Sequence, residues 1–192
     1  YSTLSILSKA GVLPDQSPTN FRDLSYNISL PTKKAGTFTL FGFGGLSSQD
    51  SKYLKDSTKW KDDSDRYSSD FSSNTGVSAL THFIKFGRST TLKSAVSYSF
   101  TETGNDVLYA RTLQNIETAY NEKNSTTKLN FNTTLNHKFS TRSTLRAGAI
   151  VSRLNYSYYQ KSKPNNNEPL REVINTKGNT ITVQGYAQWQ YK

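Results

Sequence analysis

Two histidines, an acidic run and a glycine cluster are the residues of this chain whose types and spacing could do chemistry. His82 and His137 are its only 2 histidines, and it has 0 cysteines. Without thiols, disulfide frameworks, thiolate zinc sites and cysteine nucleophiles are excluded. A Ser-His-Asp site or a histidine metal pair would need one histidine beside an acid or a second ligand. Both histidines fall inside β-type runs rather than at loop tips, and neither a Gly-x-Ser-x-Gly elbow nor a His-Glu-x-x-His helix occurs. Lone histidines on strands read as structural, so no catalytic residue, metal or cofactor is expected. Asp62, Asp63, Asp65 and Asp70 could offer oxygens to calcium. Lys52, Lys55, Lys59, Lys61 and Arg66 interleave with them, and the spacing lacks a calcium loop's Gly and Glu, so the run reads as solvated loop charge. Gly42, Gly44 and Gly45 superficially match a phosphate cradle. Inside an aromatic run they point instead to bending or to close approach of another segment.

The elements that carry these residues are long and alternate with period two. In 126–139, Leu129, Phe131, Leu135 and Phe139 share one parity, and Lys128, Asn130, Asn132 and Asn136 share the other. In 179–191, Ile181, Val183, Ala187, Trp189 and Tyr191 oppose Thr182, Gln184, Tyr186 and Gln188; in 91–102, Leu92, Val96, Tyr98 and Phe100 oppose Lys93, Ser97 and Ser99. Such alternation marks strands with one apolar and one polar face. These runs are about 10–15 residues long, against roughly 5–6 for soluble strands and about 9–11 for a tilted membrane crossing. Two runs are less regular. Residues 75–86 carry apolar side chains on both parities (Val77, Ala79 and Phe83 against Leu80, Ile84 and Phe86), which leaves the orientation open. In 144–159 the alternation breaks at Arg153 and resumes on the other parity at Tyr156 and Tyr158, which predicts a bulge near 152–155.

Connections alternate between short turns (31–36, 87–90, 140–143) and long polar stretches (47–74, 103–125, 160–178). Outer-membrane barrels have this asymmetry, with short periplasmic turns and long extracellular loops. The fold class expected is therefore all-β, an antiparallel transmembrane β-barrel meander of seven to eight long strands. Residues 1–192 read as a single barrel segment, with 1–23 an extracellular loop containing a short amphipathic helix at 5–13 and 24–192 the meander. No apolar run approaches the roughly 18–20 residues of a membrane helix. Apolar residues are only 33% of the chain, low for a soluble core, yet it holds 12 Tyr, 10 Phe and 2 Trp. Tyr98, Phe100, Tyr156, Tyr158 and Tyr159 are expected at loop-side strand ends, and Phe86, Phe139, Trp189 and Tyr191 at turn-side ends, as two interfacial aromatic bands.

The net charge of +10 does not indicate nucleic acid. Taken together, the polar segments 1–23, 47–74, 103–125 and 160–178 carry no net charge, and the excess lies in strands, turns and the last residue, where Glu102 is the single acid. Most of those cations flank the short turns, forming a basic rim.

The stretches LSYNISLPTKKAGTFTLFGFGGL (24–46), with the preceding YSTLSILSKAGVL, and VSALTHFIKFGRSTTLKSAVSYSF (77–100) resemble barrel hairpins of TonB-dependent receptors. The likeness is to the branch with a carboxypeptidase-regulatory-like N-terminal domain. It implies a barrel of about 22 strands around an N-terminal plug. It also implies active uptake of a scarce ligand (metal chelate, cobalamin, glycan or peptide) across the outer membrane of a Gram-negative bacterium. Implied partners are outer-membrane lipid, the plug of the parent chain, the TonB complex and a surface lipoprotein. The chain lacks a plug and a TonB-contacting box, and its last residues, Tyr191-Lys192, lack the usual closing Phe, so an internal barrel fragment is expected. Lys128, Asn130, Asn132, Gln184, Tyr186 and Gln188 would then face the lumen and contact plug or ligand. Two alternatives stand beside this. One is a complete small barrel of about eight strands with a structural or adhesive role, using 1–7 as the extra strand. The other is a soluble secreted β-module that binds glycans.

Overall fold

Thr, Val, Ile, Tyr and Phe recur throughout the alternating runs, and such side chains fit a pleated surface. The structure, a computed structural model, describes residues 19–192. They form one open antiparallel sheet of 7 strands in the order β1-β2-β3-β4-β5-β6-β7, each strand paired with its neighbours in sequence. The strands are β1 Asn20–Pro31, β2 Thr37–Ser51, β3 Tyr67–Phe86, β4 Thr90–Thr112, β5 Asn115–Lys138, β6 Ser143–Ser162 and β7 Arg171–Tyr191. The helix expected at 5–13 and the extra strand at 1–7 lie outside the described residues. Residues 20–23, expected in a loop, are the first turn-distal pairs of β1.

The strands outrun expectation. β4 and β5 are 23 and 24 residues long, which at about 3.3 Å per residue makes each roughly 75–80 Å. The stretch 103–125, expected as a long loop, is strand on both sides of a turn at Leu113 and Gln114. Its Thr, Val, Tyr and Ile residues favour the pleat, and it loses the apolar alternation because it carries polar residues on both faces. The other two long connections shorten to 52–66, which holds two 3-10 turns, and 163–170. The three short turns stand as expected. In the first, the Thr32 amide and hydroxyl both donate to the Gly36 carbonyl (2.8 and 2.7 Å). Gly36 has φ +84°, and a Cβ there would lie 2.2 Å from the Phe83 carbonyl oxygen, so glycine is required.

The register sorts the side chains onto two faces. One row of directly opposed residues runs Ile28, Leu40, Leu80, Val96, Phe131, Val151, Val183 across all seven strands. Every member is exposed, from 38% at Leu40 to 71% at Val183. The apolar belt around this row runs along β5 from Leu129 to His137 and on to Phe139. Arg153 interrupts it on β6, beside Leu129 and Ile181. The adjacent row on the opposite face reads Ser29, Thr39, Thr81, Ala95, Asn132, Ile150, Gln184. The orientation of β3 is thereby fixed: Leu80, Ile84 and Phe86 join the apolar face, and Val77, Ala79 and Phe83 the polar one.

Two further expectations need correction. The β5–β6 register is continuous through 152–155, and the irregularity lies higher, where Gln160 pairs with Ile174 but Lys161 with Glu172. The parity change arises because Tyr156 and Tyr158 sit on the polar face, where they stack at 5.3 Å, so they form no band with Tyr98 and Phe100. At the turn side the expected cluster exists: Phe139 stacks on Trp189 (5.7 Å) and meets His137 edge-on (4.5 Å).

Candidate functional site on the polar face

β5, β6 and β7 bring the polar parities of three neighbouring strands into one plane. Lys128, Asn130 and Asn132 of β5 oppose Leu154, Ser152 and Ile150 of β6, which in turn oppose Thr180, Thr182 and Gln184 of β7. One step nearer the turns, Thr134, Gly148 and Tyr186 share a row, and the next holds Asn136, Arg146 and Gln188. Five of the six residues singled out in the sequence (Lys128, Asn130, Asn132, Gln184 and Tyr186) line a concavity of about 540 Å³. Gln188 lies outside it, opposite Arg146.

Tyr186 organises this surface. Its ring lies across Gly148, where a Cβ would come within 2.7 Å of the ring and 2.6 Å of the Thr133 carbonyl oxygen. Only a bare α-carbon admits that crossing, and it lets the phenol reach the Thr134 hydroxyl at 2.8 Å, two strands away. Beside it the Ser152 hydroxyl donates to Asn130 Oδ1 at 2.6 Å. Amides, hydroxyls, one ammonium and the aliphatic side chains of Ile150 and Leu154 line the concavity, with no carboxylate among them. Such a surface can exchange hydrogen bonds with a neutral polar ligand or with another chain segment, and it offers no nucleophile–base pair. The β6 members Ser152 and Gly148, missed in the sequence, were marked only by the even parity of 144–154.

The other candidates separate. His82 Nε2 bonds the Ala35 carbonyl at 2.6 Å and its ring stacks on Phe38 at 4.4 Å, which ties a turn to β3. His137 Nδ1 bonds the Thr90 hydroxyl at 2.7 Å. Among the described residues no group of three His, Cys, Asp or Glu side chains could hold a metal ion. Gly42 is covered by the Tyr26 ring, which also donates its hydroxyl to Ser78 (2.7 Å), so this glycine serves close approach, not phosphate.

The acidic run builds structure at the far end of the sheet. Asp62 and Asp65 form a reciprocal cap on the second 3-10 turn, and hydrogen bonds from the Ser64 hydroxyl and amide hold the Asp62 carboxyl below its usual range. Asp63 accepts from Tyr109 (3.1 Å) and Asn166 (3.2 Å) and pairs with Arg66 (3.4 Å). The Arg66 guanidinium donates to the carbonyls of Ala110 (3.1 Å) and Arg111 (2.7 Å) and sits 5.0 and 4.9 Å from the Trp60 and Tyr109 rings. Arg111 bonds Glu117 (2.8 Å), Asn167 (3.2 Å) and the Asn166 carbonyl. Lys163, and after it Arg111, holds the Glu117 carboxyl below its usual range. Connections 52–66 and 163–170 are thus stitched onto the outer part of the β4–β5 hairpin as one distal cap, and Tyr109 and Ala110 beneath it are 6% and 0% exposed. Elsewhere among the described residues only Gly42, Ala79 and Ser143 are buried.

No family model, curated protein or solved structure matches this chain.

Proposed function

We propose that this chain is membrane-embedded wall of an outer-membrane β-barrel in a Gram-negative bacterium, of the TonB-dependent receptor type, serving active uptake of a scarce ligand. The observation that carries the reading is the seven-residue apolar row from Ile28 to Val183, exposed on every strand. In water such a face would be an aggregation surface; against lipid it is solvated. The belt along β5, from Leu129 to Phe139, matches the roughly 9–11 residues a tilted strand uses to cross the hydrocarbon. Two exposed sheet edges, β1 and β7, call for further strands to close the barrel. In that barrel the polar face lines the lumen. There the concavity around Tyr186 meets the plug or the passing ligand. The TonB complex supplies energy from the inner membrane, and the distal cap stands outside, where a surface lipoprotein would dock.

Cell fractionation with an antibody against residues 52–66 tests this. The expected result is an outer-membrane band much larger than 21.6 kDa, labelled on intact cells. A band in the soluble fraction overturns the membrane reading. An outer-membrane band at 21.6 kDa, shifting on boiling, overturns the receptor assignment in favour of a small closed barrel.

A further inference from the structure

Charge is distributed along the strands with an asymmetry that the uptake reading leaves unused. Between the short turns and the far border of the apolar belt the described sequence contains no acidic residue, and the first acids met are Asp23 and Glu102. Every turn on that side carries exposed cations. Lys33 and Lys34 sit in the β1–β2 turn, and Lys85 and Arg88 at the β3–β4 turn. Lys138 and Arg142 sit at the β5–β6 turn, and Lys192 follows the end of β7. The five ion pairs among the described residues all lie in the distal part, and none of them involves any of these seven cations. Lys85 and Lys138 take the polar parity of their strands, and the other five sit in the turns themselves or just past β7. Directly above them on the apolar face stand the exposed rings of Phe86, Phe139, Trp189 and Tyr191.

We infer that this edge binds the phosphates of anionic phospholipids in the leaflet that surrounds the short turns. The inference rests on the membrane reading above. Cations repeated at each turn, spread along the whole sheet edge beneath aromatic rings, fit a planar anionic surface. A compact acidic protein would need them gathered into one patch. Aromatic rings at headgroup depth with cations just beyond them is the order that a bilayer interface selects. The turn side is thereby assigned to the phospholipid leaflet, with the distal cap on the opposite side.

The test uses the outer-membrane protein that carries this segment, placed in phosphatidylcholine nanodiscs doped with phosphatidylglycerol and released for native mass spectrometry. Phosphatidylglycerol should be retained several-fold over phosphatidylcholine, and retention should fall as salt rises. Removing cations with K33Q/K34Q or R88Q/R142Q should weaken retention by about five-fold per cation. K33R/K34R should retain it, and K123Q/K177Q, on the distal side of the belt, should leave it unchanged. Equal retention of the two lipids, salt-independent retention, or capture of polyglutamate in place of lipid by the turn side would each overturn the inference. If a glutamine variant fails to fold, the arginine variant and the salt series still decide. Absence of the protein from the outer membrane would instead defeat the membrane reading, which separates the two failures.

Discussion

Replacing Arg66 should open the distal cap while leaving the belt intact. The guanidinium donates to the carbonyls of Ala110 and Arg111 at 3.1 and 2.7 Å and lies about equally over the Trp60 and Tyr109 rings at 5.0 and 4.9 Å. Hydrogen bonds from a charged donor contribute about 1.5–3 kcal/mol each, and the lower end applies because the side chain is 28% exposed. Each cation–π contact adds about 0.5 kcal/mol at such a site. The Asp63 pair adds little, since Asp63 is 58% exposed and water screens it. Discounted for the water that can replace some of these bonds, Arg66→Ala should cost about 3 kcal/mol locally, or a roughly 100-fold rise in the open population. Hydrogen exchange reads this at the Leu54 amide, which donates to the Asp65 carbonyl at 2.8 Å, and at the Lys61 amide, which donates to Asp65 Oδ2 at 2.7 Å. Arg66→Lys separates the causes: it keeps the charge and loses the planar fork. Both amides should accelerate in either variant, with belt amides unchanged. Wild-type protection in Arg66→Lys would show that charge alone holds the cap and would refute the reasoning.

Val183→Arg should destabilise vesicle-folded protein by about 2–4 kcal/mol in a urea titration, while Gln184→Arg, one residue on but facing the other way, should change it by less than about 1 kcal/mol; equal effects would mean the two faces are not differently solvated. Gly148→Val should cost about 1–3 kcal/mol, because its Cβ would meet a backbone oxygen at 2.6 Å, and should free the Tyr186 phenol from Thr134, visible as a changed tyrosine signal. Alkali should loosen the β4–β5 hairpin first. Burial, then the bond to Asp63, pushes the Tyr109 phenol up, and the bond to Glu122 pushes Tyr120 up to about 12. A raised folded value means the neutral phenols contribute fully below the ordinary value of about 10, and the contribution is lost as pH climbs from there towards about 12. Tyrosinate absorbance rising together with exchange in β4 and β5, ahead of any change in β7, is the expected result; simultaneous loss of all strands would count against it.

The belt was legible in the sequence because no apolar residue falls on the polar parity in 126–139, and only Tyr186 does so in 179–191. What stayed hidden was hidden for physical reasons. Above the belt both faces of β4 and β5 are polar, so Thr103 to Ser125 lost the alternation that signals a strand and kept only its propensity. In β3 apolar residues occupy both parities, and only pairing of Leu80 with Leu40 and Val96 tells which set joins the apolar face. Of the polar-face residues, parity alone placed Lys128, Asn130, Asn132, Gln184 and Tyr186 together, because cross-strand neighbours follow from register. The reach of Tyr186 over Gly148 needed the third dimension. The distal cap was invisible for a similar reason: Asp63 meets Asn166 more than a hundred positions later.

The hairpin of β4 and β5 stays paired up to the turn at Leu113 and Gln114, through register shifts at Val107/Leu108 and Ala110/Thr112, and the cap braces its flank there. A flexible loop must surrender conformational freedom when it closes on a ligand, which slows capture and weakens it. A stiff turret has made that surrender during folding. Contacts formed at its tip would therefore be governed by diffusion and shape complementarity, with association rates that respond little to temperature-driven loop ordering.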